Sequence, residues 1–210
     1  SESLFLFLSL ATLFSLRNNH LLLAVSFAAL ASYTRAAGVV LWLVILIEYF
    51  DSHKNWFQSI FTKRSLLLLI PPLGFLSYLK YLEVNTSDFL NFLPSLPNKF
   101  IFIHQVFLRY LKMIVFVDHS SYLFVVIATE LILSLLVVYL LIFRFKQTRL
   151  SYWMYLLIIF FIPSLWGNFT GIGRFLLTCP PFFLVLAGWM SKQSDKTKLA
   201  FYFVSGLLLV

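Results

Sequence analysis

Polar residues cut the chain into apolar runs at about 4 to 16, 20 to 34, 37 to 50, 65 to 82, 121 to 143, 150 to 166, 174 to 190 and 199 to 210. Most approach, or fall somewhat short of, the ~20 residues whose helix crosses a bilayer core. Backbone groups inside lipid have to bond within their own segment, and no ten-residue alternation marks a barrel, so the runs are read as helices. The predicted fold class is all-α: a polytopic transmembrane helical bundle of about eight membrane segments plus one interfacial helix. Composition agrees, with 61% hydrophobic and 11% charged residues where a soluble domain carries about 25% charged.

The formal charge of +8 does not point to nucleic acid, because the basic residues sit in short clusters between apolar runs, as a topology signal does. Residues 21 to 50 would make a single helix of about 45 Å against a core of about 30 Å, so a turn is expected near Thr34-Arg35-Ala36-Ala37-Gly38. With that turn, Arg17, the Lys54/Lys63/Arg64 group, the Arg144/Lys146/Arg149 group and the Lys192/Lys196/Lys198 group fall on one side. They hold ten of the sixteen Lys and Arg residues, and the positive-inside rule makes that side cytoplasmic. The outer or lumenal side receives Glu2, Arg35, the long segment from Glu83 to His119, and Trp166 to Gly171. From Asn98 onward, Asn98, Gln105, Arg109 and Lys112 recur at helical spacing among apolar residues, which predicts a helix over 98 to 117 lying in the membrane interface.

Ser1 is not an initiator, and the chain stops at Val210 inside an apolar run. The expectation is therefore a single transmembrane domain, 1 to 210, incomplete at both ends. Cys179 is the only cysteine, which excludes an internal disulfide or a cysteine-based zinc site.

Charge at an embedded helix end is costly to keep, so Glu2, Arg35 and Arg174, all assigned to the outer side, are the candidate site residues. Arg174 follows Gly171-Ile172-Gly173 and precedes Pro180-Pro181, which should loosen or kink its helix. Its planar fork suits a phosphate, while residue type alone favours an arginine snorkelling to headgroups. Arg35 has the same two readings, with Gly38 allowing a tight turn beside it. Glu2 either orients a sugar hydroxyl, pairs with an arginine, or caps the helix starting at Leu4; capping is favoured by its chemistry.

Glu130 lies mid-helix and needs a partner, a proton or water. No basic partner sits in a neighbouring span, so a protonated or cavity-facing carboxyl is expected. Proton coupling through it would be the transporter reading. Glu48 and Asp51 read as interface residues. His20, His53, His104 and His119 have no ligand spacing, Asp118-His119-Ser120 is no triad, and no metal is expected. Gly171-Ile172-Gly173 reads as a flexible turn. Asn85-Thr86-Ser87 and Asn168-Phe169-Thr170 match the glycosylation sequon.

Ser1-Glu2-Ser3-Leu4-Phe5 opening a helix, then Thr34-Arg35-Ala36-Ala37-Gly38, resembles the signatures of PIG-V-type mannosyltransferases, the second mannosyltransferase type of GPI-anchor biosynthesis and members of the GT-C glycosyltransferases. Pro72-Leu73-Gly74-Phe75-Leu76 through Tyr81, Ser87-Asp88-Phe89-Leu90-Asn91-Phe92, and Gly173-Arg174-Phe175 with a proline downstream fit in the same order. The resemblance implies an integral, multi-pass enzyme of a bacterial plasma or ER membrane. It would move mannose or another hexose from a polyprenyl- or dolichyl-phosphate sugar to an acceptor hydroxyl on the outer or lumenal face. It implies no cofactor, with the lipid-phosphate sugar as substrate and membrane lipid as partner. The family's acidic base would lie upstream of Ser1, so this stretch alone is expected to be inactive. The resemblance assigns Arg174 and Arg35 to the lipid phosphate, Glu2 to the sugar pocket, and Arg109 with Lys112 to headgroups or phosphate. The competing readings are a secondary transporter or flippase-like carrier of a lipid-linked or anionic solute, and a noncatalytic membrane subunit.

Overall fold

A computed structural model of the chain describes residues 2–51, 65–85, 102–119, 121–165 and 167–199. Ser1, His53, Lys54, Lys63, Arg64, Thr86, Asn98, Trp166, the Ser87-to-Phe92 motif and positions 200–210 of the last apolar run lie outside these residues. Every regular element among the described residues is helical. The order is α1 (Glu2–Arg17), α2 (Leu21–Thr34), α3 (Val39–Asp51), α4 (Ile70–Asn85), α5 (Ile103–Phe116), α6 (Tyr122–Phe143), α7 (Leu150–Leu165), α8 (Ile172–Leu177) and α9 (Pro180–Met190). Short 3-10 turns precede α3, α4 and α7 at Ala36–Gly38, Ser65–Leu69 and Phe145–Gln147.

Two stretches are long and apolar enough to cross a membrane: Ser65–Val84, of 20 residues, and Tyr122–Phe143, of 22. Leu21–Thr34, Leu150–Ser164 and Pro180–Met190 are shorter apolar helices. The expected segments are thus present as apolar helices in the described part, but only two reach spanning length. Local stops account for part of the shortening. Asn19 adopts a left-handed φ of 59° and closes α1, with Asn19 N–H donating to the Leu16 carbonyl and His20 N–H to that of Ser15. This is the Schellman arrangement, in which a left-handed residue satisfies the last carbonyls. Arg35 is extended, at φ −157° and ψ 139°, and divides α2 from α3 as expected.

Gly38 serves that junction differently from the expectation. Its φ is not left-handed; instead, a Cβ there would collide with the backbone of Ala31 and Ser32. Close approach to the last turn of α2, rather than conformational freedom, requires the glycine. The run expected over 174 to 190 is two helices, since α8 stops at Leu177 and Pro180 and Pro181 open α9. Proline is accommodated in a first turn, where its missing N–H leaves no bond unmade, whereas in a helix interior it removes a bond and strains the turn before it.

Helix α2 is the thin centre of the N-terminal half, packed by α1 on one side and α4 on the other. Its buried positions are Ala24, Val25, Ala28, Ala31 and Ser32. Such small side chains let backbones approach closely. Gly74 of α4 sits against the Ala29 carbonyl of α2 so tightly that a Cβ would overlap it. Helix α3 carries the chain across to α7, which also meets α6, α8 and α9.

The exterior is apolar. On α6, Leu123, Ile132, Leu135, Ile142 and Phe143 face outward, and on α1 Phe7 and Phe14 do so. The buried polar residues are Ser9, Thr12, Ser15, Ser32, Ser134, Ser151, Ser164 and Thr178. Most bond the carbonyl three or four residues back, as Ser32 does to Ala28 and Ser164 to Phe160. A hydroxyl folded onto its own helix satisfies itself without a partner helix. Exposed apolar surface on this scale needs lipid or protein to cover it.

The bundle has two chemically distinct ends. At one, Arg17 lies over the Tyr152 ring at 5.9 Å and Arg149 pairs with Glu48 at 3.4 Å. At the other, the opposite ends of α1 and α3 bring Glu2 to Arg35 and Arg174. Replacement of Gly74 by Leu is expected to force α2 and α4 apart and destabilise the fold by about 1–3 kcal/mol. Thermal unfolding of the purified protein checks this; an unchanged Tm would contradict the close approach.

Candidate functional site

One carboxylate oxygen organises the second end. Glu2 Oε1 accepts from Arg174 Nη2 at 3.0 Å and from Nε at 3.3 Å. The same oxygen lies 3.6 Å from Arg35 Nη1, an ion-pair distance beyond hydrogen-bond reach. Arg35 Nη1 is itself buried and makes no hydrogen bond, while the guanidinium rests 5.6 Å from the centre of the Phe175 ring. The structure therefore joins the three residues that the sequence placed on one side. Glu2 stands in the first turn of α1, so the pairing role coexists with a favourable position at the positive helix end.

The local chain paths explain the convergence. Glu2 and Arg35 are equally far in sequence from the turn at Asn18-Asn19, so an antiparallel α1–α2 hairpin sets them side by side. Arg174 arrives on α8, a helix of six residues preceded by Gly171 at its N-cap, whose φ of 75° is left-handed. Two guanidinium groups against one carboxylate leave a net charge of +1. Side-chain exposure is 73% for Arg174, 42% for Glu2 and 25% for Arg35. Solvent screening at such exposure limits the pair's contribution to stability to about 1 kcal/mol or less.

Glu130 departs from its expectation. It is half-buried, and both oxygens are engaged by neutral donors: Oε2 by the Tyr110 hydroxyl at 2.8 Å, Oε1 by Gly171 N–H at 2.9 Å. A phenol on α5 and a backbone N–H, rather than a basic side chain of a neighbouring span, fill the role of partner. Tyr110 also accepts from Phe169 N–H at 3.0 Å. Phe169 is fully buried, with ring centres 4.9 Å from Phe107, 5.0 Å from Tyr110 and 5.9 Å from Phe160. Tyr110 is the residue that sequence reasoning missed; its place on the apolar face of a basic helix was the available signal. Gly171 is indeed a turn, but a tethered one.

The predicted helix over 98 to 117 is present in its described part as α5, with Val106 and Tyr110 inward and Gln105, Arg109 and Lys112 outward. Arg109 Nη1 donates to the Gly167 carbonyl at 2.8 Å. Gln105, Arg109 and Lys112 line one side of an open groove with Leu108, Met113 and Phe116. Among the described residues, neither Arg109 nor Lys112 bonds to Glu2, Arg35 or Arg174. Arg109 connects to them through the loop over 167–171, by way of the Gly167 carbonyl. Asn168 is exposed between Gly167 and the buried Phe169. Cys179 is buried at the start of α9.

The group is net positive: Arg174 presents a largely exposed guanidinium fork, a geometry suited to oxyanions, and Arg35 Nη1 is a buried donor without a hydrogen bond, while the position both arginines approach is filled by Glu2 Oε1. Comparisons of the chain with protein-family models, with curated proteins and with solved structures find no match.

Burial first, and then the hydrogen bond donated to Glu130, push the Tyr110 phenol above its ordinary 10.0, against a lowering by Phe169 N–H. The folded chain keeps this proton to a higher pH than the unfolded chain does. The stability it contributes is complete below pH ~10 and is lost as pH rises through the elevated value. Tyrosinate absorbance should show one fewer late-titrating tyrosine in Tyr110→Phe than in the wild type; an unchanged late phase would contradict the shift.

Proposed function

We propose that the chain is a multi-pass membrane glycosyltransferase of the GT-C type. It moves mannose, or another hexose, from a polyprenyl- or dolichyl-phosphate sugar to an acceptor hydroxyl at the outer or lumenal face. The observation that carries this reading is the sharing of Glu2 Oε1 by Arg174 and Arg35 at the end of the bundle away from Arg17 and Arg149. The apolar exterior supports the membrane setting, and α5 supports an interface with headgroups on the same side as Arg174.

In the proposed step the acceptor oxygen attacks the anomeric carbon of the sugar. The bond from that carbon to the phosphate oxygen breaks, and the lipid phosphate leaves with both bonding electrons. A carboxylate takes the acceptor proton. The phosphate gains a negative charge as it departs, and interactions that strengthen with that charge accelerate the reaction. The net positive Arg35–Glu2–Arg174 group suits this task. Glu2 acts as a spacer between the arginines, with its second oxygen available to a sugar hydroxyl.

Glu130 is the feature that favours the second reading, a secondary transporter, because intramembrane carboxylates often relay protons. Its engagement by Tyr110 and Gly171 N–H supports a structural acceptor role over that reading.

In the full-length protein reconstituted in vesicles, Arg174→Ala is expected to lower mannosyl transfer from a polyprenyl-phosphate mannose by about a hundredfold. Arg174→Lys should recover part of it, since an ammonium keeps the charge but not the fork. Donor kinetics unaltered by Arg174→Ala would remove the assignment.

A further inference from the structure

Arg174 lies three residues beyond Gly171, and α8 is too short to hold its own position, since isolated helices need more than about 12 residues. Its placement is inherited from residues 167–171. Every second residue of that loop is tied to α5 or α6: the Gly167 carbonyl to Arg109, Phe169 N–H to the Tyr110 oxygen, and Gly171 N–H to Glu130. The Tyr110–Glu130 bond closes the set. The buried Phe169 ring seats the loop between α5 and α7. Arg174 N–H then bonds the Gly171 carbonyl at 2.9 Å.

We infer that Tyr110 and Glu130 are positioning residues for the anion site, holding the loop before α8 so that Arg174 reaches the Glu2 oxygen that Arg35 also approaches. The inference rests on the reading of Arg174 as a phosphate ligand. It assigns Glu130 a geometric role rather than a charge-carrying one. A glutamine there retains an oxygen for Gly171 N–H, and its amide group can donate to the Tyr110 oxygen, so the loop stays tied without the negative charge. Alanine keeps neither bond. Phenylalanine at 110 preserves the ring packing and loses the two bonds of the hydroxyl.

The test uses the full-length protein in phosphatidylcholine vesicles, with a polyprenyl monophosphate as the binding probe and hydrogen exchange of amides 169–177 as a probe-free readout. Tyr110→Phe and Glu130→Ala are expected to weaken binding by about five- to tenfold and to speed that exchange. Glu130→Gln is expected to stay within about twofold of the wild type in both measurements. Wild-type exchange in Tyr110→Phe, or a Glu130→Gln variant as impaired as Glu130→Ala, would overturn the inference. The latter result would instead favour proton relay. Arg174→Ala provides the separate check: if it binds the probe like the wild type, the phosphate reading fails, whatever the exchange rates show about the loop.

Discussion

Charge is expensive inside an apolar bundle, and its placement here follows from that cost. Among the described residues, Glu2 pairs with Arg35 and Arg174 near helix ends at one extreme, and Glu48 with Arg149 at the other. Glu130 instead lies within α6, and its carboxyl is accommodated because two neutral donors meet its two oxygens. The loop over 167–171 depends on those bonds, α8 depends on the loop, and the reach of Arg174 to Glu2 depends on α8.

Packing in the N-terminal half serves the same end. A central helix of small residues lets α1 and α4 draw close, and Gly74 and Gly38 occupy places where no Cβ fits. The α1–α2 hairpin turns at Asn19, whose left-handed conformation caps α1. The hairpin sets both members of one half of the site at adjacent helix ends. Most buried serine and threonine hydroxyls fold back on their own helices and so need no partner helix, whereas Arg35 Nη1, Trp42 Nε1, the Tyr155 hydroxyl and Trp189 Nε1 are buried without a hydrogen bond.

Much of the fold was legible from apolar periodicity and punctuation. The break at Arg35, a disturbance at Pro180-Pro181, the helical character of every run in the described part, and the amphipathic nature of α5 all follow from local rules on hydrophobic pattern, proline and polar residues; that the disturbance divides the run into two helices did not. Helix length was legible less well, because an apolar run does not disclose where its ends will tighten into 3-10 turns or break. The site was legible in part. Glu2, Arg35 and Arg174 stood out as charges at helix ends, and charge distribution put them on one side. The partners of Glu130 were hidden because a tyrosine and a backbone N–H carry no signature distinguishing them from many others in the chain.

By itself, the sequence determined that this chain forms apolar helices, that its basic residues cluster between them, and that three ionic residues stand out near helix ends. These properties are local or additive along the chain, so pattern and count suffice to read them. Only the tertiary structure decided that one oxygen of Glu2 serves two arginines, that Tyr110 and Gly171 satisfy Glu130, and that Arg109 turns to the Gly167 carbonyl. Those contacts join residues as far as 172 positions apart. Their geometry is set by how helices pack and where loops close, which no single segment encodes.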